Sequence, residues 1–269
     1  LNKIGVDFTT LYGANTKIGP FIRVLIHIKA KDLTYTDEPG GSRGAALDIL
    51  EVTFGGGGEV EDIVNRTENI RVKDADVKSL NDRGLVDSFL APVKHPGLHQ
   101  MRLAVRDGIS NAIGTANQFV DIPDLTKGEL ALSGIVVSKQ SGQKQPPSIS
   151  SATDRESQEG IEAEETAAIR QFSATDVIGV ALEAFNIQNA ESVALQVRLY
   201  RDGKLVGGGP LSSLLHPRES PDGLPIYGAL RLSGIAEGHY ALEVECTEIG
   251  KKGRQRSAKQ LTDFEIVAK

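Results

Sequence analysis

The sequence predicts an all-β protein made of two tandem Ig/fibronectin-like β-sandwich domains of about seven strands each. Three observations carry this. Gly97-Leu98-His99-Gln100-Met101-Arg102-Leu103-Ala104-Val105 returns as Gly238-His239-Tyr240-Ala241-Leu242-Glu243-Val244-Glu245-Cys246, so that Met101, Leu103 and Val105 fall on Leu242, Val244 and Cys246. Each copy then closes in a further alternating strand, Phe119-Val120-Asp121-Ile122 and Phe264-Glu265-Ile266-Val267, an alignment that sets Phe119 on Phe264. Hairpin signals also fall at matching places: four glycines, Gly55 to Gly58, in the first half and Asp202-Gly203 in the second.

In chain order, Ile22, Val24, Ile26 and Ile28 alternate with Arg23, Leu25, His27 and Lys29, the pattern of a half-buried strand whose His27 faces solvent. Leu47, Ile49, Val52 and Phe54 form another strand, with a phase slip at Leu50-Glu51 that reads as a bulge. The Gly55–Gly58 run lacks the Lys-Ser/Thr ending of a phosphate loop and is followed by Glu59, Glu61 and Asp62, so it reads as a turn. Pro123 stops the last strand of the first domain, which places domains at 1–124 and 125–269. Leu130–Val137 reads as the first strand of the second domain, and Val193, Leu195, Val197 and Leu199 as a later one.

Two segments break the pattern. Residues 139–166 are polar, with Ile149 and Ile161 nearly alone as large apolar residues, and read as an inserted surface loop with a helical turn or two over Glu162–Ile169. The connection from Gly207 to Gly228 carries Leu211, Leu214, Leu215, Leu224, Ile226 and Tyr227; it either packs on its own sandwich or meets a partner. Leu214, Leu215, Tyr227, Ile149 and Ile161 are the candidate partner-contact residues.

Composition narrows the function. A net charge of −6 disfavours nucleic acid, and the one basic cluster, Lys251 to Arg256, lies where the repeat places a hairpin. No apolar run reaches the roughly 18–20 residues of a membrane span. The single cysteine, Cys246, is expected as a small buried hydrophobe, and one cysteine neither requires nor excludes an extracytoplasmic life. The chain begins at Leu1 and not Met, so an upstream signal peptide, domain or tag is expected.

No chemistry-bearing constellation is found. His27, His95, His99, His216 and His239 do not pair at metal spacing with one another or with Cys246, and edge positions account for His99 and His239. Ser110, Ser133 and Ser233 lack a nucleophile-elbow context. Asp74-Ala75-Asp76 lacks the central Gly and closing Glu of a calcium loop and reads as turn chemistry. No catalytic, cofactor or metal residue is assigned, and a small-molecule ligand is not expected.

The run from Gln100 to Asp107, then Ile113-Gly114-Thr115-Ala116, Val120-Asp121-Ile122-Pro123-Asp124-Leu125 and Leu130-Ala131-Leu132-Ser133-Gly134-Ile135, resembles the region that follows the von Willebrand factor A domain in the VWFA-related proteins of Acidobacteria. Phe172-Ser173, Tyr200 to Gly203 and Gly238 to Leu242 fit that family's second repeat, and the likeness is sharpest over residues 95–137. The A domain's Asp-x-Ser-x-Ser metal motif does not occur here, so no metal-dependent adhesion role passes to any residue. The resemblance implies a secreted or envelope-associated bacterial protein. The expected function is a non-enzymatic structural or adhesive module acting through a protein partner or a homo-oligomeric assembly. The alternative is a carbohydrate-binding module, against which stands an aromatic content of 5% with no Trp.

Overall fold

The computed structural model describes residues 3–140, 149, 158–210, 223–250 and 253–268. The first copy comprises β1 (Val6–Asn15), β2 (Gly19–Ile28), β3 (Thr36–Glu38), β4 (Ser42–Phe54), β5 (Val60–Lys73), α1 (Val77–Arg83), β6 (Leu85–Pro92), β7 (Gly97–Asp107) and β8 (Ile113–Ile122). The second comprises β9 (Ala131–Leu132), β10 (Val136–Lys139), α2 (Gln158–Ile169), β11 (Gln171–Ser173), β12 (Val177–Phe185), β13 (Ala194–Arg201), β14 (Lys204–Pro210), β15 (Leu224–Arg231), β16 (Gly238–Ile249) and β17 (Gln255–Val267).

Both copies have the immunoglobulin strand order, with an A-B-E sheet and a G-F-C-C′ sheet. In the first, β1-β2-β6 is the A-B-E sheet, and β8-β7-β4-β5 is the other, with β3 beside the start of β4. In the second, β9 and β10 pair with β12, β12 pairs with β15, and β11-β17-β16-β13-β14 forms the five-stranded partner sheet. Gly55–Gly58 turns β4 into β5, and Asp202-Gly203 turns β13 into β14, so the two turns are equivalent. Asp202 and Gly203 both have positive φ, 51° and 73°, the left-handed pair that a two-residue hairpin turn demands.

The repeat holds at the level of register. Gly97 faces Ile122 and Gly238 faces Ile266, so both ladders open on the same pair. Met101 and Leu242 are equivalent and both are fully buried. Phe119 and Phe264 are not equivalent: Phe264 corresponds to Val120, which is buried, while Phe119 is 58% exposed. The aromatic rings suggest pairing Phe119 with Phe264, but burial follows the alternation of Gln118, Val120 and Ile122.

The second core is a single apolar layer between its two sheets, from Ile178, Val180, Leu182 and Ile226 on one side to Leu199, Leu242, Val244, Cys246 and Phe264 on the other. Tyr240 donates its hydroxyl to Ala236 O at 2.7 Å, the tyrosine corner that pins the start of an F strand. Cys246 is buried as expected, and desolvation, with a contribution from Glu248, pushes its thiol up to about 12.

Several local expectations are corrected. The slip at Leu50-Glu51 is absent: Leu47, Ile49, Glu51 and Thr53 are buried in strict alternation, and the irregularity against β5 lies between Thr53 and Phe54. The two polar residues on the inward face disguised the phase. Leu130–Val137 is two strands, because Gly134 N donates to Tyr12 O at 2.8 Å and a Cβ on Gly134 would stand 2.9 Å from Leu11 Cα. His27 points away from the Ile/Val face yet is buried, bonded to Asp7 at 2.9 Å and to Arg83 O at 2.7 Å, so both faces of β2 are covered. His99 is buried in the place that Tyr240 holds in the second copy; its ring meets Gly97 O and Glu61.

The chain clusters into two compact units that are not the contiguous halves 1–124 and 125–269. One holds residues 1–10, 24–89 and 97–122; the other holds 11–23, 90–96 and 123–269. Within the second, Tyr12 meets the Phe185 ring edge-on at 5.9 Å, and Arg23 pairs with Glu164 at 3.0 Å with both side chains buried. These contacts draw the tip of the β1–β2 hairpin into that unit and hold α2, whose Ala167 and Ala168 are buried. The helical turns expected over Glu162–Ile169 are therefore real and begin earlier, at Gln158.

Candidate interaction face

Of the candidate partner-contact residues, Leu214 and Leu215 lie outside the described residues. Ile149 is buried within the chain's own second unit, beside Gly13, and so is corrected from surface to core. Ile161 on α2 and Tyr227 on β15 are half-buried, and Leu224 and Ile226 of the same connection belong to the core. The structure does not gather the five into one patch.

An apolar face arises elsewhere, on the outer side of the first copy's β5-β4-β7-β8 sheet. The registers line its side chains in rows. Val60, Phe54, Gln100 and Phe119 form one; Ile63, Val52, Arg102 and Asn117 the next; Asn65, Leu50, Ala104 and Thr115 a third. Val60, Ile63, Leu50 and Phe119, with Leu98 beyond the first row, are all exposed. Exposed apolar side chains gathered on one sheet face, and not scattered singly, mark a candidate contact surface.

One cation sits in the middle. The Arg102 guanidinium stacks over the Phe54 ring at 4.8 Å and donates to Gln100 Oε1 from Nε at 3.1 Å and from Nη2 at 2.8 Å. Among the described residues no carboxylate pairs with it. Ring and amide hold the planar group in place, so its charge is oriented before anything meets it. At the far end Arg106 and Thr67 bond Asp48, and these bonds hold the Asp48 carboxyl below its ordinary range.

The second copy's equivalent face is different in kind. Arg198, at the position of Val52, donates to Glu243 at 2.6 Å and to Glu245 at 2.7 Å, and Lys259 approaches both carboxylates. Glu243 occupies the place of Arg102. Its charges neutralise one another. Beside them Tyr200, Asp202, His239, Glu243 and Leu261 rim a shallow depression of about 480 Å³. Tyr240 beneath it is buried and engaged by its corner bond, so it offers no open ring for a sugar.

The basic cluster is structural where it is described: Arg256 bonds buried Glu248 at 2.6 Å, and Glu248 accepts from the backbone of Gln188 and Asn189. Asp74 bonds Arg43 at 3.0 Å as a turn residue. No cluster of three metal-ligating side chains occurs among the described residues. None of their helices is long and apolar enough to cross a membrane.

Phe119, Ile63, Leu50 and Leu98 were missed by sequence reasoning, though for all but Leu50 a signal existed. Phe119, Ile63 and Leu98 are apolar on the parity of their strands otherwise held by Asn117 and Asp121, by Asn65, and by Gln100 and Arg102, whereas Leu50 shares its parity with Val52 and Phe54 as well as Asp48 and carries no such signal. An apolar residue out of phase is a surface hydrophobe, not a weak core residue.

No family model matches the chain, and no curated protein matches it. Solved structures give loose likenesses. A β-glucuronidase from Bacteroides uniformis is 13% identical over 50% of this chain and 14% of its own length, at a TM-score of 0.28. Dimeric latent PorU from Porphyromonas gingivalis is 13% identical over 100% of this chain and 24% of its own, at 0.28. A tetra-tandem repeat from the extending region of a large adhesion protein is 10% identical over 99% of this chain and 50% of its own, at 0.25. The chain thus spans half or less of each. Likeness this loose assigns neither activity nor partner.

Proposed function

We propose that this chain is a non-enzymatic structural or adhesive module of an extracytoplasmic bacterial protein, and that it acts through protein–protein contact at the outer β5-β4-β7-β8 face. The observation that carries the reading is the group of exposed apolar side chains Val60, Ile63, Leu50, Leu98 and Phe119 around the preoriented Arg102, with which no carboxylate pairs among the described residues. That combination fits a partner surface of apolar side chains around one carboxylate: an aromatic and Arg centre of the sort that dominates protein interfaces. The resemblance of residues 95–137 to the region after the A domain of VWFA-related proteins supports the extracytoplasmic part.

The test is isolation of the assembly from source cells with Ile63→Asp and, separately, Arg102→Ala. Both side chains are on the open face, so both variants should melt within about 0.5 kcal/mol of the parent. Both should lose the co-purifying partner. Retention of that partner by both variants overturns the reading.

A further inference from the structure

Among the described residues, strands at the C′ and G ends of the two larger sheets present four long edges, and three are guarded. β5 carries Glu61, Asp62, Arg66, Glu68, Arg71 and Lys73. β14 is broken up by Gly207, Gly208, Gly209 and Pro210. β17 is charged and is capped by β11, which runs parallel to it with Gln171 on Glu265, Phe172 on Ile266 and Ser173 on Val267. β8 has neither device: from Ile113 to Ile122 its one charge is Asp121. An extended edge with a single charge at its end is a template for another strand.

The free backbone groups can be identified. Asp107 N donates to Ala112 O at 2.9 Å at the β7–β8 turn. Hydrogen-bonded pairs then recur at every second residue, so Gly114, Ala116, Gln118 and Val120 face β7. The groups of Ile113, Thr115, Asn117, Phe119 and Asp121 face outward. Ile113 O indeed accepts from Lys3 N at 2.9 Å. In the second copy the equivalent of Asp121 is Glu265, and its N–H donates to Arg170 O at 2.9 Å as β11 begins. For Asn117, Phe119 and Asp121 no backbone partner on this edge occurs among the described residues, and all three are exposed.

We infer that the β8 edge, from Asn117 to Asp121, is the acceptor for an extended strand of a partner protein, running parallel to β8 as β11 runs along β17. The inference rests on the contact face proposed above and deepens it. The added strand's outer side chains would extend the row that ends at Phe119, so one partner covers both face and edge. Main-chain bonds supply affinity in such an arrangement, and the alternate side chains supply selectivity. A second copy of this chain is the poorer occupant. Two identical β8 edges related by a two-fold axis meet antiparallel, whereas the strand that fills the equivalent edge is parallel.

The test uses a synthetic peptide of residues 169–175, the stretch containing the strand that fills the second copy's edge, added to the full chain at about millimolar concentration. Amide exchange should slow about tenfold at Asn117, Phe119 and Asp121 and stay unchanged at Gln118 and Val120. Asn117→Pro removes an outward N–H and no ladder bond, so the fold should survive it. It should cut the protection to less than about twofold. Asn117→Ala keeps the N–H and should behave as the parent. Ile63→Asp, on the far edge, should leave peptide protection intact, which separates this inference from the face itself. No protection in the parent, or equal protection in Asn117→Pro, overturns the proposal. So does protection of these amides that rises with protein concentration when no peptide is present, since that is self-pairing.

Discussion

Glu51 offers the sharpest test of the packing described for the first copy. Its side chain is fully buried on the inward face of β4, where the second copy has Val197. Oε1 accepts from Thr53 Oγ1 at 2.8 Å, while Oε2 has no hydrogen-bond partner. Burial raises the carboxyl's pKa against the lowering effect of Thr53, and Asp62 adds to the rise. A raised acid favours the protonated form in the folded state. Its penalty is therefore absent below the unfolded pKa, grows as pH rises through the interval between unfolded and folded values, and is complete above the folded one. Glu51→Gln keeps the acceptor for Thr53 and cannot ionise. An unmade bond at a buried polar oxygen costs about 1–3 kcal/mol, and more when it is charged. The variant should gain at least about 1 kcal/mol over the parent at pH 8, and that gain should shrink toward zero by about pH 4. Urea unfolding of both proteins at several pH values measures the difference, and the other carboxylates cancel in it. A variant no more stable at pH 8 than at pH 4, relative to the parent, refutes the burial of an ionisable group at this position.

Further outcomes follow from the same reasoning. Asp107 is buried, which raises its pKa, but N–H bonds from Ile109, Thr34 and Ser110 outweigh that and hold it low; Asp107→Asn should cost about 1–3 kcal/mol at pH 7, and the loss should fade as pH drops through the folded value, read by thermal melts across pH. Tyr240→Phe removes the bond to Ala236 O and should cost about 1 kcal/mol in denaturant unfolding. Gly134→Ala pushes a methyl against the Leu11 backbone and should cost about 1–3 kcal/mol, measured the same way. Cys246, buried and with a raised thiol pKa, should resist alkylation until the chain is unfolded, by mass spectrometry.

The fold was legible where burial and alternation agree. Met101 on Leu242, the glycine turn matched to the Asp-Gly turn, and the place of Cys246 all follow from period-two patterning with turn chemistry. The misses have one cause in common: a side chain whose parity and polarity disagree. Glu51 and His27 are polar on buried faces, and no local rule foretells that a helix will cover the outer side of β2 or that a core will tolerate a carboxyl. Phe119 is the reverse case, apolar on an exposed face, and its ring drew the alignment one residue out of step. The candidate face was unreadable as a site because its members come from four strands, and only the register between strands assembles them. The seating of the hairpin tip depends on pairs far apart in the sequence, such as Tyr12 with Phe185 and Arg23 with Glu164.

That seating bears on how such a chain can be rearranged by recombination. A cut after Ile122 looks like the natural joint for moving the second repeat into another protein, since β8 ends there and Pro123 follows. The transplanted piece would leave residues 11–23 behind, and with them Tyr12 and Arg23. Phe185 would then face water, and Glu164 would lose its guanidinium. Moved as a contiguous gene segment, the second sandwich would therefore lose the cover that residues 11–23 give the outer side of β12, and a graft that carries the hairpin along would keep it.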